Sequence, residues 1–255
     1  FKELMRRNYY VDFENETLLR KELVQQNALD YYIFADKDDS LVFSPFSTMN
    51  VLFDELVKRP FRCKPVYLEG VWGGYYMMRM RNLPKQMKNC AWIFDMIPSE
   101  VSVVIEANNT QIEVPYYTFV HARGVKLMGQ DCVNYFHGYF PIRFNYDDTW
   151  HANGNMSIQC HPYHDYVRKE NNELGRQDES YYIVEAAEGA KTFLGFNEDI
   201  NPDDFMKEVF ESEKTGSPID YLKYVNAVTS TPGTQVLIPA GTIHSSGRNQ
   251  LVLEI

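Results

Sequence analysis

The spacing of apolar residues along the chain changes near residue 60. Before it, apolar residues recur at helical spacing in two stretches, residues 16–34 and 47–59. A helix turns by about 100° per residue. With that rotation, the first stretch forms one apolar stripe, made of Leu18, Leu19, Leu23 and Leu29. In the second, Ser47 is a suitable N-cap, and the apolar residues that follow it are Val51, Leu52, Leu56 and Val57. We therefore predict that residues 1–60 are a helical lead-in or the tail of a preceding domain.

From residue 61 onward, short apolar runs are separated by turn residues, which is the pattern of a β-rich domain. Residues 107–110, Ala-Asn-Asn-Thr, lie between two alternating runs and predict a hairpin. Residues Glu188 and Gly189 predict a second turn. Strands at this spacing favour a sandwich or a barrel over residues 61–255.

Helices interrupt this strand pattern near residues 202–225. Asn201 is a suitable N-cap and Pro202 a suitable first helical residue, so a helix is predicted over 202–213. Gly216 ends it, and a second short helix is predicted over residues 219–228. No internal repeat is visible in the sequence.

Composition and charge narrow the class of partner. The chain has 255 residues, of which 44% are hydrophobic and 24% charged, and its net charge is −10. That charge repels phosphate backbones and anionic lipids, so nucleic acid and membranes are not expected as partners. No apolar run approaches the roughly 20 residues that span a bilayer, which favours a cytoplasmic protein. The four cysteines form no Cys-x-x-Cys pair, and the ends of the chain suggest a segment of something longer.

Two motifs carry candidate metal ligands. In residues 157–162, Ser-Ile-Gln-Cys-His-Pro, a strand would point Gln159 and His161 to the same side. Residues 233–244 fit Gly-x5-Pro-x-Gly-x2-His, in which a tight turn delivers His244 at the start of a returning strand. A carboxylate from a third strand would complete the set. Glu179 is the first choice for it, since Tyr181 and Ile183 continue its strand face, and Asp178 is the competitor.

Metal ligands that come from several strands in this way are typical of a cupin jelly-roll β-barrel, in which the strands hold one metal ion among them. Two imidazoles, a carboxylate and an amide oxygen suit a borderline divalent ion, zinc first. A lone histidine on an apolar strand is more often a core residue, so the hypothesis depends on the two spacings occurring together.

The sequence resembles the class I mannose-6-phosphate isomerases, which are zinc-dependent members of the cupin superfamily. The resemblance spans residues 71–255. It rests on the stretches MSIQCHP, DESYYIVEAAEGAKTFLGF, VLIPAGTIHSSG and LVLEI, with a weaker match at VWGG, residues 71–74. It implies that the zinc ligands are Gln159, His161, Glu179 and His244, and that Glu254 lines the sugar site.

The chain departs from the family where the family has active-site lysines. Gln177, beside Arg176, replaces one, and Asn145, two residues from Arg143, replaces another. An arginine could supply the missing positive charge, although guanidinium and ammonium are not equivalent. The cations available to hold a substrate phosphate are Arg143, Arg176, Lys191 and Arg248.

The resemblance implies an aldose–ketose isomerase that interconverts mannose 6-phosphate and fructose 6-phosphate through an enediol. We predict Glu254 as the base, with a zinc-bound water as the alternative. The absent lysines keep a second hypothesis open, a non-catalytic metal-binding cupin that binds sugars or regulates their metabolism. A third, a metal-dependent oxygenase, expects His-x-His around iron, which Gln159 argues against. The oligomeric state does not follow from the sequence.

Overall fold

The structure is a computed structural model that describes residues 16, 18–37, 40–107, 110–171 and 176–255. These residues divide into two units that alternate along the chain. Of the described residues, those in the ranges 16–66, 94–145 and 168–171 form the first unit, and those in the ranges 67–93, 146–167 and 176–255 form the second. The division differs from the predicted boundary at residue 60, because residues 94–145 pack with the N-terminal residues.

The described helices and strands follow in chain order. They are α1 (18–25), β1 (Tyr31–Lys37), β2 (Ser40–Pro45), α2 (Phe46–Leu56), β3 (Cys63–Lys64), β4 (Val66–Leu68), α3 (Tyr76–Met80), β5 (Trp92–Met96), β6 (Ser102–Ala107), β7 (Thr110–Pro115), α4 (Tyr116–Met128), α5 (Gln130–Tyr135), β8 (Phe144–Asp148), β9 (Gln159–Cys160), α6 (His164–Tyr166), a π-helical turn (Val167–Asn171), β10 (Glu179–Ala186), β11 (Lys191–Phe196), α7 (Pro202–Thr215), a 3₁₀ turn (Tyr221–Lys223), β12 (Val225–Thr229), β13 (Gln235–Ile238), β14 (Ile243–Ser246) and β15 (Gln250–Glu254).

The first unit contains the same hairpin-and-helix arrangement twice, although the sequence showed no repeat. Strands β1 and β2 lead directly into α2, and β6 and β7 lead directly into α4. Each second strand ends in a proline, Pro45 or Pro115, with φ/ψ of −55°/140° and −52°/132°. An aromatic residue then begins each helix. The predicted hairpin at 107–110 is confirmed by the pairing of Ala107 with Thr110, while Asn108 and Asn109 lie outside the described residues.

The two copies share one apolar core. Met49 and Phe53 of α2 and Phe119 of α4 are completely buried in it. The rings of Phe53 and Phe119 lie 5.5 Å apart. Arg123 of α4 donates to the carboxylate of Asp54 at 2.7 Å, so an ion pair also joins the two helices.

The helical lead-in predicted for residues 1–60 is wrong where the structure has strands β1 and β2, and residues 1–15 of that prediction lie outside the described residues. Helix α1 ends near Asn27, whose φ is +51°, and the next residues form strand β1. Tyr, Ile and Phe favour strands, and this β propensity outweighed the helical spacing. A helix does follow at Phe46–Leu56, but Ser47 is not its N-cap, since Pro45 occupies that position.

Two sheets carry most of the predicted strand series, and strands β9 to β15 lie wholly in the second unit. Strands are ordered β13-β10-β15-β8-β5-β4 in a six-stranded sheet and β12-β11-β14-β9 in a four-stranded sheet. The pairs that strands β10 and β11 form with their neighbours are antiparallel. This sheet-rich architecture agrees with the predicted cupin-like fold, while the strand pairing does not define a closed barrel.

The predicted helical insertion is confirmed in its first half. Asn201 caps α7, its side chain accepting a hydrogen bond from Asp203 N at 3.0 Å, and Gly216 ends the helix with φ +74°. The second helix over 219–228 is wrong. Residues Tyr221–Lys223 form a single 3₁₀ turn and β12 begins at Val225, where it pairs with Phe196 of β11. Among the described residues, no helix has the length and apolar character needed to cross a membrane.

Candidate metal centre

Two sequence motifs meet through one pair of neighbouring strands. Strand β9 runs antiparallel to β14, with Gln159 paired to His244 and Cys160 paired to Ile243. Paired residues of antiparallel strands point to the same side. The amide of Gln159 and the imidazole of His244 are therefore neighbours, and their side-chain nitrogens lie 3.2 Å apart.

The Pro-Ala-Gly-Thr turn connects these motifs a second time. Gly241 N donates to the carbonyl oxygen of His161 at 2.7 Å, and Thr242 N donates to Pro239 O at 3.1 Å. Gly241 has φ +87°, and a Cβ there would lie 2.3 Å from the hydroxyl oxygen of Tyr163. Glycine is therefore required at this position by both the backbone angle and the close neighbour.

Glu179 enters from the first residue of β10. The strand alternates buried and less buried residues, so that Glu179, Tyr181 and Ile183 share the buried side. The competing carboxylate, Asp178, is exposed and belongs to a different set of contacts. It pairs with Arg176 at 2.9 Å and accepts a hydrogen bond from Ala240 N at 3.0 Å. Asp178 thus holds the turn before His244, and Glu179 faces the histidines.

Glu179, His161 and His244 form a buried cluster. The Nε2 atom of His161 lies 2.7 Å from Glu179 Oε2, and Nε2 of His244 lies 3.1 Å from the same oxygen. One donor atom from each of the three lies within 4.8 Å of the others. Neither carboxylate oxygen, nor Nε2 of His161, makes a hydrogen bond with suitable angles to any described residue. Buried polar atoms are nearly always paired, so the cluster has the character of a ligand set.

The electrostatics of the cluster favour a cation. Burial raises the pKa of Glu179, but the two imidazoles beside it outweigh this and lower the pKa to about 2. For His244, burial lowers the pKa, but Glu179, the carbonyl of Thr242 and the charge of Glu254 raise it above its ordinary value. The carboxylate therefore stays ionised, and positive charge is stabilised next to it.

The orientation of His244 is fixed by a second contact. Its Nδ1 atom lies 2.8 Å from the carbonyl oxygen of Thr242, so Nδ1 carries the proton and Nε2 presents its lone pair to Glu179 and His161 when the ring is neutral. Such a backbone contact to the remote nitrogen is the usual arrangement behind a metal-binding histidine.

Sequence reasoning did not assign a role to Tyr181, which lies beside the cluster. Its ring packs edge-on against His244, 5.9 Å between ring centres, and its buried hydroxyl makes no hydrogen bond to a described residue. Burial raises the pKa of Tyr181 well above its ordinary value, and the charges of Asp147, Glu179 and Glu254 raise it further. The sequence did contain a signal for this position, because residues two apart on a strand lie on the same side, and Tyr181 follows Glu179 by two.

Glu254 lies beside Tyr181 and influences the charge of His244. It pairs across the strands with Tyr181, and its charge contributes to the raised pKa of His244. Gln177 is half-buried just before β10, and Arg176 is exposed beside it.

Lys191 and Arg248 have contacts away from the cluster. Leu194 pairs with His244 and Thr192 with Ser246, so Lys191 lies on the opposite side of this sheet, where it donates to Thr229 Oγ1 at 2.8 Å. Lys191 and Arg248 instead line an open cleft of about 610 Å³. Arg143 and Asn145 belong to the first unit, and their roles stay predictions.

The donor set fits a borderline divalent ion. It contains two imidazole nitrogens, one carboxylate and the amide of Gln159, whose oxygen and nitrogen exchange places when the group rotates by 180°. Zinc binds nitrogen and oxygen ligands of these kinds. Calcium and magnesium prefer sites made only of oxygen, so the two histidines disfavour them.

Comparisons with known proteins confirm the resemblance to mannose-6-phosphate isomerases. Mannose-6-phosphate isomerase ManA of Bacillus subtilis (strain 168) is 27% identical over 201 residues, which are 78% of this chain and 58% of that protein. The Streptococcus mutans serotype c enzyme is 26% identical over 198 residues, 75% of this chain and 57% of that protein. The probable mannose-6-phosphate isomerase GmuF of Bacillus subtilis is 31% identical over 105 residues, 41% of this chain and 30% of that protein. The chain thus spans at most 58% of the length of these relatives. No protein-family model matches it.

Solved structures agree on the fold. The mannose 6-phosphate isomerase of Bacillus subtilis superposes with a TM-score of 0.54 at 18% identity, covering 76% of this chain and 57% of that one. A zinc-bound mannose 6-phosphate isomerase superposes with a TM-score of 0.55 at 13% identity, covering 76% of this chain and 67% of that one. At these identities the agreement concerns the fold alone.

Proposed function

We propose that this chain carries the metal centre of a sugar-phosphate isomerase that interconverts mannose 6-phosphate and fructose 6-phosphate. The observation that carries the proposal is the buried cluster of His161, Glu179 and His244, whose donor atoms lie within 4.8 Å of one another. Curated relatives named mannose-6-phosphate isomerases support the substrate class. The jelly-roll barrel predicted for residues 61–255 belongs to the same proposal.

Gln159, His161, Glu179 and His244 would hold the ion, with zinc as the expected metal. Bound zinc would supply a Lewis acid that polarises sugar oxygens and stabilises the negative charge of an enediolate. The protein contributes a buried, oriented ligand set. Glu179 remains ionised because its pKa is lowered to about 2, and the Thr242 carbonyl fixes the ring of His244.

Glu254 is the proposed base. Isomerisation of an aldose to a ketose moves a proton between C2 and C1, so one carboxylate beside the sugar suffices to remove it and return it. Glu254 stands opposite Tyr181 in the strand register, and Tyr181 packs on His244. These two contacts support a base that lies beside the ligand set and outside the cluster of three.

The substrate phosphate needs a local cation, because the chain as a whole carries a charge of −10. Arg176 precedes Glu179 by three residues and is exposed, so we propose it as the first candidate, with Gln177 beside it as a hydrogen-bonding partner. Arg143 with Asn145, and Arg248, are the further candidates from the sequence. Lys191 is disfavoured by its place on the opposite side of the sheet from His244.

A second function has one observation in its favour. Asn145 and Gln177 stand where the family resemblance leads one to expect lysines. A chain that has lost these cations but kept the ligand set would bind metal and sugar without catalysing isomerisation.

Coupled turnover of mannose 6-phosphate decides between the two. The zinc-loaded protein is expected to turn over substrate, and removing the metal with a chelator should abolish this activity. Glu179→Gln should abolish zinc retention and turnover together. Asp178→Asn is the matched control, since the neighbouring carboxylate lies outside the cluster, and it should keep its zinc. Zinc binding without turnover would support the binding function, and a wild-type protein that retains no zinc would contradict both.

A further inference from the structure

The first hairpin of the first unit exposes one apolar face. Its inner side, which includes Tyr32, Phe34 and Val42, packs into the core. The outer face consists of four large side chains, each about 60% exposed. These are Tyr31 at 60%, Ile33 at 59%, Leu41 at 60% and Phe43 at 60%. Ile33 and Phe43 are direct cross-strand partners, so the four form one continuous patch, which we call the hairpin patch.

The second hairpin of the same unit is an internal control for this patch. When the two hairpins are aligned on Pro45 and Pro115, which pair with Tyr31 and Ser102, each outer position has a counterpart. The residues that correspond to Tyr31, Ile33, Leu41 and Phe43 are Ser102, Val104, Gln111 and Glu113. Three of these four are polar, and Glu113 pairs with Lys64 of the neighbouring strand.

The inner faces of the two hairpins are alike, and their outer faces differ. Both hairpins bury an apolar inner face, so the inner pattern is a requirement of packing. The outer face of the second hairpin is mostly polar, so the same architecture tolerates polar residues there. The apolar outer face of the first hairpin is therefore not explained by the folding of the unit. Contiguous exposed apolar patches of this kind mark interaction sites.

We propose that the hairpin patch is a contact between two copies of this chain. Four side chains of this size at 60% exposure offer roughly 450 Å² per copy, or roughly 900 Å² when two copies bury it, which is near the lower bound of about 1,000 Å² for a specific interface. The contact therefore forms a weak, concentration-dependent dimer.

The absence of charge on the patch favours a second copy over a charged partner. The four residues of the patch are uncharged, so two patches can face each other without like-charge contacts, although the chain carries −10 overall. An acidic or basic partner would find no charge to pair with on them.

Sedimentation velocity of the full chain between about 1 and 200 µM tests the proposal. The wild-type protein is expected to change from monomer to dimer over this range. The variant Leu41→Gln/Phe43→Glu introduces the residues that the second hairpin carries at the same positions, so it should fold. It is expected to raise the dissociation constant of the dimer more than tenfold. Val51→Gln is the matched control, because Val51 is 62% exposed in the same unit but lies on α2, and it should dimerise like the wild type.

Two results would overturn the proposal. One is a wild-type protein that stays monomeric at every concentration. The other is a dimer that persists unchanged in a folded Leu41→Gln/Phe43→Glu variant, as judged by circular dichroism. If that variant unfolds, the milder Tyr31→Ser, which again takes the residue of the second hairpin, must weaken the dimer severalfold while keeping the wild-type spectrum. These measurements do not depend on isomerase activity, so they stand apart from the proposed function.

Discussion

Asp148 shows how a single buried carboxylate supports the second unit. Its two oxygens accept hydrogen bonds from Met77 N at 2.7 Å and from Trp150 N at 2.9 Å, so it joins β8 to the start of α3. A Cβ on Gly74 would lie 2.2 Å from the same carboxylate. The Trp-Gly-Gly motif that the sequence offered as a weak family match is thus a packing requirement, because only glycine leaves room for Asp148.

The pKa of Asp148 predicts a pH-dependent stability. Burial raises this pKa from 3.8 to about 6, against the hydrogen bonds from Met77 and Trp150, which lower it. Because the folded state prefers the protonated form, the stabilisation is complete below about pH 4 and is lost as the pH rises through 6. Between pH 4 and 7 the loss should be about 2 kcal/mol. Urea denaturation across this range should show it for the wild type relative to Asp148→Asn, which cannot ionise. Parallel pH profiles for the two proteins would contradict the assignment.

At the level of elements, the sequence predicted best where one motif determines both a turn and its ligand. The Gln-x-His-Pro and Pro-x-Gly-x2-His spacings predicted that Gln159 and His244 come from different strands and converge, and in the structure the two residues pair directly across β9 and β14. Helix α7 was predicted from its N-cap, Asn201, and from the proline that follows it, and the structure confirms it. The hairpin at residues 31–45 was not predicted, because its strands are apolar on both faces and lack the alternation that identifies a strand. Helices α4 and α5 were not predicted either. The burial of α4 depends on α2, which is distant in sequence, and α5 has no buried residue that could mark a helical face.

The turn at Gly241 should matter for both stability and the metal. Gly241→Ala places a side chain at φ +87° and against Tyr163, and should cost about 1–3 kcal/mol of unfolding free energy. It should also lower zinc retention, because Gly241 holds the backbone of His161. Gly195→Ala is the control, since Gly195 has φ +71° with nothing within 4 Å of a Cβ. We expect Gly195→Ala to lose less stability and to keep its zinc, as measured by chemical denaturation and metal analysis. Equal losses in both variants would show that the close approach of Tyr163 has no effect.

On the scale of the whole molecule, the proposed metal ligands and the repeated hairpins belong to different units. All four proposed ligands lie in the second unit, and both hairpin-and-helix copies lie in the first. The sequence could not show this, because the two units alternate along the chain and no linker separates them. Ligand binding stabilises only those states that contain the formed site, so the two units should respond differently to metal.

Hydrogen exchange measured peptide by peptide can detect this difference. Adding Zn²⁺ to the metal-free protein should slow exchange in β9, β10 and β14, whose residues Gln159, Glu179 and His244 would share the ion. Exchange in β1, β2, β6 and β7 should not change, since their local opening leaves the ligand set intact. Mg²⁺ at the same concentration is the control, because it prefers oxygen ligands and should protect neither set. Equal protection of both sets would mean that the units open together, and protection of neither would remove the metal centre on which the proposed isomerase depends.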